Sequence, residues 1–330
     1  MTKFIFRRIL HTIPLLLLVT LVVFILVDAM PGDELAAYIN TLPEGTPRPS
    51  YEQLQQMRAT LKLDTPWHTR YIQWLGKAVQ GDFGISLHYR RPAAELVNLF
   101  IWRTFMINAV AMFFIFLFAV PIGVRSAAKR NGIFDKTVST TTLVFISLPS
   151  FFVGLYLMRL FAVDFGILPP TGMRSVISVV KGYATRADEI KDVIRHMILP
   201  VMTLTVVGIG TVSRYIRNAV IDVINQDYIR TARSKGLKER IVIYRHAFRN
   251  AFIPIISLLG VMIPTLFVGN IFVEAIFVWP GIGLEFLYAV YRRDTAMLTI
   301  IILIFSVASV LGNLLADILY GIADPRIKVE

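Results

Sequence analysis

Apolar residues in this chain come in long continuous runs rather than in the i, i+3, i+4 stripes of a soluble amphipathic helix. Runs at about 9–28, 104–124, 137–162, 198–219, 254–276 and 296–320 are each long enough to cross a hydrocarbon core, which takes about 20 helical residues. The first run follows Lys3, Arg7 and Arg8, as a secretory leader would. Its apolar core from Ile9 to Val27 is longer than a leader's, however, and Asp28-Ala29-Met30 is no small-x-small cleavage site, so it reads as a spanning helix. The pattern predicts an all-α polytopic membrane protein with six transmembrane helices. Residues 1–30 form the N-terminus and first span, 31–100 an extramembrane helical segment, 101–321 a five-helix core carrying a polar loop at 214–254, and 322–330 a tail.

Outside the spans the signals are local. Pro43, Gly45, Pro47 and Pro49 mark a loop; Ser50 with Gln53 is a capping-box pattern that opens a helix to about Lys62; Thr65-Pro66 opens another through about Val79. Asn131-Gly132 is a turn, and Leu148-Pro149-Ser150 should kink the third span. Arg159 lies near the end of that span, where its stem can snorkel. Residues 164–196 are polar enough for a second outer loop with a short interfacial helix.

The loop 214–254 interrupts two apolar runs with Arg214, Arg217, Arg230, Arg233, Lys235, Lys238, Arg240, Arg245 and Arg249, opposed by Asp222, Asp227 and Glu239. Asp227 is the expected N-cap of a short helix on which Tyr228, Ala232 and Gly236 share a face, with Ile229 and Leu237 alongside. Gly236 suits the left-handed C-cap position, and Arg233 and Lys235 complement the negative end of the helix dipole. A second helix then presents Ile241, Tyr244, Phe248 and Ala251 on one side and runs through Pro254 into the next span. Such a pair is either a topology-fixing loop or an element that docks in a partner's groove.

Composition narrows the class. Across 330 residues, 55% hydrophobic content and 23 Phe fit a membrane chain. With the N-terminus inside, the inner segments are strongly basic and the outer ones balanced, so the net charge of +12 is a positive-inside signal rather than a nucleic-acid footprint. The absence of Cys excludes disulfides, thiol catalysis and cysteine-ligated metals. His11, His68, His88, His196 and His246 are scattered and form no metal or catalytic spacing, and Gly76-Lys77-Ala78 is not a phosphate-binding loop. The chain therefore reads as no enzyme and as holding no cofactor. A transporter without a nucleotide site must take its energy from an ion gradient, as a secondary carrier, or from a partner; a channel needs neither. Secondary carriers usually place carboxylates near the midplane, whereas Asp28, Glu274 and Asp317 lie near span ends. Glu274, close to Asn270, is either a translocation-path or inter-subunit residue, or a solvated helix end paired with Arg292 or Arg293. Asn313 and Asp317, four apart, share a face that should point into the bundle.

Four stretches carry a resemblance. RYIRNAVIDVINQDYIRTARSKGL with RHAFRNAFIP is similar to the cytoplasmic EAA loop of ABC-importer permease subunits, in the form of the dipeptide/oligopeptide/nickel permease family. Arg230 and Thr231 stand where the general signature has Glu and Ala, while Ala232 and Gly236 keep it. LKLDTPWHTRYIQWL with GDFGIS, the run from Glu274 to Gly283, and NLLADILYGIADPRI resemble further stretches of the same family, so that the likeness covers nearly the whole chain. It implies a type I ABC importer-like fold with both termini cytoplasmic, in the inner membrane of a prokaryote. It also implies a coupling loop in which Asp227, Tyr228, Arg230, Thr231, Ala232, Arg233, Lys235, Gly236 and Leu237 meet an ATPase. The implied partners are a second homologous permease, two ABC ATPase subunits that bind the ATP and Mg, and an extracytoplasmic substrate-binding protein. The implied cargo is a di- or oligopeptide, or nickel or a metal chelate.

Overall fold

A computed structural model describes residues 2–29, 49–60 and 65–323, with Leu35, Ile39 and Pro47. The loop expected around Pro43 and Gly45, the run 61–64 and the tail from 324 lie outside the described residues, as do the side chains of Arg7, Arg8 and Asp317. Helix α1 (Thr2–Asp28) is followed by α2 (Tyr51–Thr60) and α3 (Trp67–Ala78). The Ser50–Gln53 capping box forms as expected: Ser50 N–H donates to Gln53 Oε1 at 2.8 Å, and Gln53 N–H donates to Ser50 Oγ at 3.3 Å. Helix α3 is fastened to α1, where the Tyr71 hydroxyl meets Thr20 at 3.0 Å and Arg70 pairs with Asp28. The chain then makes a two-residue antiparallel hairpin, β1 (Ile85–Ser86) with β2 (Arg91–Pro92), that nothing in the sequence pattern announces.

From the hairpin rises α4 (Ala93–Ala128), the spine of the molecule. It is succeeded by α5 (Ile133–Ser147), α6 (Ser150–Met158) with a π-helical extension (Arg159–Asp164), α7 (Val176–Lys181), α8 (Arg186–Ile224), α9 (Asp227–Ser234), α10 (Glu239–Ile241), a π-helical segment (Val242–Ala247), α11 (Phe248–Met262) with a 3₁₀ turn (Ile263–Leu266), α12 (Ile271–Ile276), α13 (Ile282–Arg292) and α14 (Thr295–Ala323). Among the described residues α4, α8 and Thr295–Ala316 of α14 are each long and apolar enough to cross a bilayer. Helices α5 and α6 with its extension pass that test only as a pair, bent by 96° at their junction. Pro149 explains the corner: the residue before a proline is pushed out of the helical region, and Leu148 has ψ 129°. Two shorter apolar helical stretches, Ile13–Asp28 and Asn250–Leu266, complete the set.

Three expected boundaries move, the first being that of the second span, whose helix begins at Ala93 inside what read as the extramembrane segment. The fourth span begins as an N-terminal extension at Arg186, because Thr185 and Asp188 form a capping box that starts α8 inside what read as an outer loop. The fifth does not reach residue 276: it stops at Leu266, and α12 is a separate short helix capped by Asn270.

Helices α4 and α8 run parallel, their contacts advancing together from Ile107 and Ala111 against Met197 and Val201 to Val124 and Ala127 against Ile216 and Val220. Without an aqueous phase to drive them together, such helices rely on close backbone approach at small residues. A Cβ on Gly123 would stand 2.7 Å from the Ser213 carbonyl oxygen. Helix α14 is held in the same way, since a Cβ on Gly312 would collide with the ring of Pro264. We expect Gly312→Val to force α14 off the 3₁₀ turn and to lower the thermal midpoint of the detergent-solubilised protein. An unchanged midpoint would show that this crossing contributes little.

Candidate functional site

Residues 214–254 run from the last turns of α8 through α9 and α10 into α11, at the basic end of the bundle. Helix α8 ends at Ile224 with Asn225 as its C-cap, and α9 starts one residue earlier than expected: Gln226 is the N-cap and Asp227 the first helical residue, where its charge still complements the helix dipole. The buried face of α9 is Ile229 and Ala232, set against Val242 and Ala247 with Val223 and Ile224 at its edge. Tyr228 and Thr231 therefore look outward, and the expected face of Tyr228, Ala232 and Gly236 is not the packed one. Lys235 continues the turn, and Gly236 takes φ +73°, the left-handed conformation foreseen for it, with its N–H donating to the Arg233 carbonyl at 2.9 Å. A bidentate ion pair from Arg233 to Glu239 closes the loop at 2.7 and 3.2 Å. Asp227, Tyr228, Arg230, Thr231, Lys235 and Leu237 are left exposed on its outer surface.

The expected face of the second helix also rotates. Val242–Ala247 is π-helical, and its wider turn shifts the inward positions to Val242, Ile243, Ala247 and Ala251, leaving Ile241 and Tyr244 exposed.

An ion pair underlies this loop, its carboxylate buried and its guanidinium partly exposed. Asp135, in the first turn of α5, accepts from Arg217 Nε at 2.6 Å and Nη2 at 2.8 Å, from the Ser126 hydroxyl, and from the Asn131 N–H at 2.8 Å. Asn131 itself adopts φ +63°. One carboxylate thus fastens the α4–α5 turn to α8 two turns before α8 ends. The apolar pattern does not mark Asp135; its place four residues after the Asn of a turn is the signal available in the sequence.

Glu274 has no exposure at all and meets neither Arg292 nor Arg293. Its carboxylate accepts from the Thr104 hydroxyl of α4 at 2.7 Å, from the Leu284 N–H at 2.8 Å, and from the Gly283 N–H. Thr104 in turn accepts from the Ile282 N–H at 2.8 Å. Gly269, Gly281 and Gly283 form a collar with no room for side chains: a Cβ on Gly281 would lie 2.5 Å from both Glu274 Cδ and Thr104 Oγ1. Trp279 is also fully buried rather than interfacial, its Nε1 donating to the Arg103 carbonyl at 3.1 Å. Asn270 accepts from the Val273 N–H at 3.1 Å and so caps α12. Buried carboxylates are tolerated when fully hydrogen-bonded, and this one ties the fifth apolar stretch, α12 and α13 to the spine.

At the opposite end of the bundle, Ser86 donates to Asp294 and Tyr89 to Glu285 at 2.8 Å, which docks the hairpin on α13 and the start of α14. Burial pushes both carboxyls above the usual range and the Tyr89 hydroxyl up to about 12. Arg292 lies over the rings of Tyr288 and Tyr89. Asn313 does not point into the bundle: it is exposed, and Gly312 beside it is the buried residue. The reason is that α14 packs through its small residue against Pro264. Asp317 continues the same helix. Among the described residues no three His, Asp or Glu side chains converge as a metal site would require.

Compared with known proteins, residues 119–329 match the family described as binding-protein-dependent transport system inner membrane component, and residues 1–93 match its N-terminal region. The oligopeptide transport system permease protein AppB of Bacillus subtilis is 36% identical over 329 residues, 99% of this chain and 100% of the relative. The di/tripeptide transport system permease protein DppB of Pseudomonas aeruginosa is 35% identical over 339 residues, covering 99% of each chain. The glutathione transport system permease protein GsiC of Salmonella typhimurium is 33% identical over 330 residues, 100% of each. Among solved structures, a chain of the MetNI methionine ABC transporter in inward-facing conformations shares the fold, with a TM-score of 0.53 and 18% identity, over 69% of this chain and 96% of that one.

Proposed function

The chain belongs to the binding-protein-dependent transport system inner membrane components, and from that premise we propose that it is the permease subunit of an ATP-driven importer whose cargo is a di- or oligopeptide. The relatives named for oligopeptides, di/tripeptides and glutathione support the peptide class. In this reading the chain crosses the inner membrane of a prokaryote six times with both termini in the cytoplasm. The three long helices, the bent pair and the two shorter apolar stretches supply the crossings. It works with a second, homologous permease, two ABC ATPase subunits that bind and hydrolyse ATP with Mg, and an extracytoplasmic binding protein.

The observation that carries the coupling assignment is the projection of α9. Its inner face is buried against the end of α8 and the π-segment, while its outer face is left uncovered. A groove closing on the outer face of α9 moves it as a rigid body. The displacement then passes into α8 through Val223 and Ile224, and into α5 through the Arg217–Asp135 pair. The spans rock together, which is a rigid-body switch rather than a local distortion.

Gly236 provides the direct test. Nothing lies within 4 Å of a Cβ built there, so a side chain fits and only the left-handed backbone resists it. Gly236→Val should raise the cost of that turn by about 1–2 kcal/mol, and Gly236→Asn by much less, since Asn tolerates this region. We expect the Val variant to lose most ATP-coupled uptake in proteoliposomes or to release the ATPase subunits, and the Asn variant to resemble the parent. Full coupled transport by the Val variant would remove Gly236 from the mechanism. A mild-detergent purification that recovers the chain without any ATPase would overturn the importer reading itself.

A further inference from the structure

Helix α7 is built almost wholly of side chains that water should reject. Val176, Ile177, Val179 and Val180 are 76, 67, 55 and 80% exposed. β-branched residues are weak helix formers, and six residues are too few to hold a helix in water unaided. Its position is nevertheless fixed. Asp192 Oδ2 on α8 accepts from the Ser175 N–H, just before α7, and from the Tyr183 hydroxyl, just after it, both at 2.7 Å. Gly182, at φ +79°, turns the chain back between them. The carboxylate clamps both ends of α7 and leaves its apolar sides facing away from the bundle.

The chain that leads to α7 is apolar as well. Along α6 the exposed side chains are Phe151, Phe152, Leu155 and Tyr156, followed by Val163, Phe165 and Ile167. Helix α6 is half of the bent pair that is long and apolar enough to cross a bilayer only together. Six residues cannot cross a hydrocarbon core, and Val is under-represented among the anchors of protein–protein interfaces. Lys181, at the end of α7, has the long stem that reaches from an apolar layer to headgroups. We propose that α7 is a membrane-interface anchor, embedded at the headgroup–acyl boundary of the leaflet opposite the coupling loop and held there by the Asp192 clamp. Helix α8 runs unbroken from that clamp to α9, so the anchor gives the coupling lever a fulcrum referenced to the bilayer. The fulcrum role rests on the coupling reading; the membrane contact does not, and is measured without transport.

The chain has no Cys, so Val180→Cys gives this subunit one site for an environment-sensitive fluorophore, attached before the transporter is assembled in lipid nanodiscs, with Lys191→Cys as the exposed reference. Lipids bearing a shallow nitroxide should quench the label at 180 roughly fivefold more than at 191, with aqueous iodide showing the reverse order, as expected of a helix lying about 5–10 Å into the boundary. Equal iodide quenching at both sites would overturn the proposal. So would a label at 180 shielded from both quenchers, which would mark a protein occupant instead. Adding Asp192→Asn should reduce lipid quenching at 180; quenching unaffected by that change would remove the clamp from the account.

Discussion

Asp135→Ala is expected to destabilise the folded chain by about 1–3 kcal/mol, the cost of leaving the donors around an enclosed carboxylate without their acceptor. The change strands Arg217 Nε and Nη2, the Ser126 hydroxyl and the Asn131 N–H together, all of which converge on one carboxylate. Asp135→Asn should keep most of the defect, because it restores shape without charge. The double variant Asp135→Ala with Arg217→Met should recover most of the loss, since replacing both members of such a pair by apolar groups is often near neutral. Equilibrium unfolding in detergent reads the first effect, and coupled peptide uptake reads whether the α4–α5 turn must stay fastened to α8. A loss below about 1 kcal/mol, the range of an exposed pair, would mean that the pair is solvated and not a latch.

Gly281→Val should be more severe still, leaving little or no folded protein in the membrane. The new Cβ would sit 2.5 Å from Glu274 Cδ and from Thr104 Oγ1. Neither can retreat: both residues are fully buried, Glu274 is held by the Leu284 N–H, and Thr104 is part of α4. The loop between Gly269 and Leu284 would have to open and leave the carboxylate without its donors. Glu274→Gln is the measured contrast. It preserves volume but turns an amide N–H₂ toward existing donors, for an expected loss of about 1–3 kcal/mol with the fold retained. Normal yield of Gly281→Val at the parent's thermal midpoint would refute the collar. A Gln variant as damaged as the Val variant would instead place the charge of Glu274, rather than the packing around it, at the centre of its role.

The features that could be read from the sequence are those whose causes lie within a few residues. The Ser50–Gln53 box depends on two side chains three positions apart. The left-handed Gly236 follows from the helix that ends just before it. The Pro149 corner follows from the ring's clash with its neighbour, although the pattern announced a kink and gave no hint of a 96° bend. The displaced readings fail because a partner lies far off in the chain or because a local helix departs from the α form. Glu274 looked like a helix-end carboxylate because its donor, Thr104, is 170 positions earlier. Trp279 looked interfacial because the Arg103 carbonyl that takes its N–H is 176 positions away. The inward face of the second loop helix followed a 3.6-residue period that the π-segment breaks, and Asn313 was turned outward by a contact between Gly312 and Pro264.

The sequence by itself determined that this chain is a helical membrane protein with a basic, two-helix loop, because long apolar runs and the side of the positive charges are sums over neighbouring residues that no folding can change. Only the tertiary structure decided which polar side chains are enclosed and by what. In a low-dielectric interior a carboxylate is fixed wherever donors converge on it, and donors converge across helices far apart in the chain. That convergence made Asp135 a latch, Glu274 the centre of a glycine collar and Asp192 a clamp.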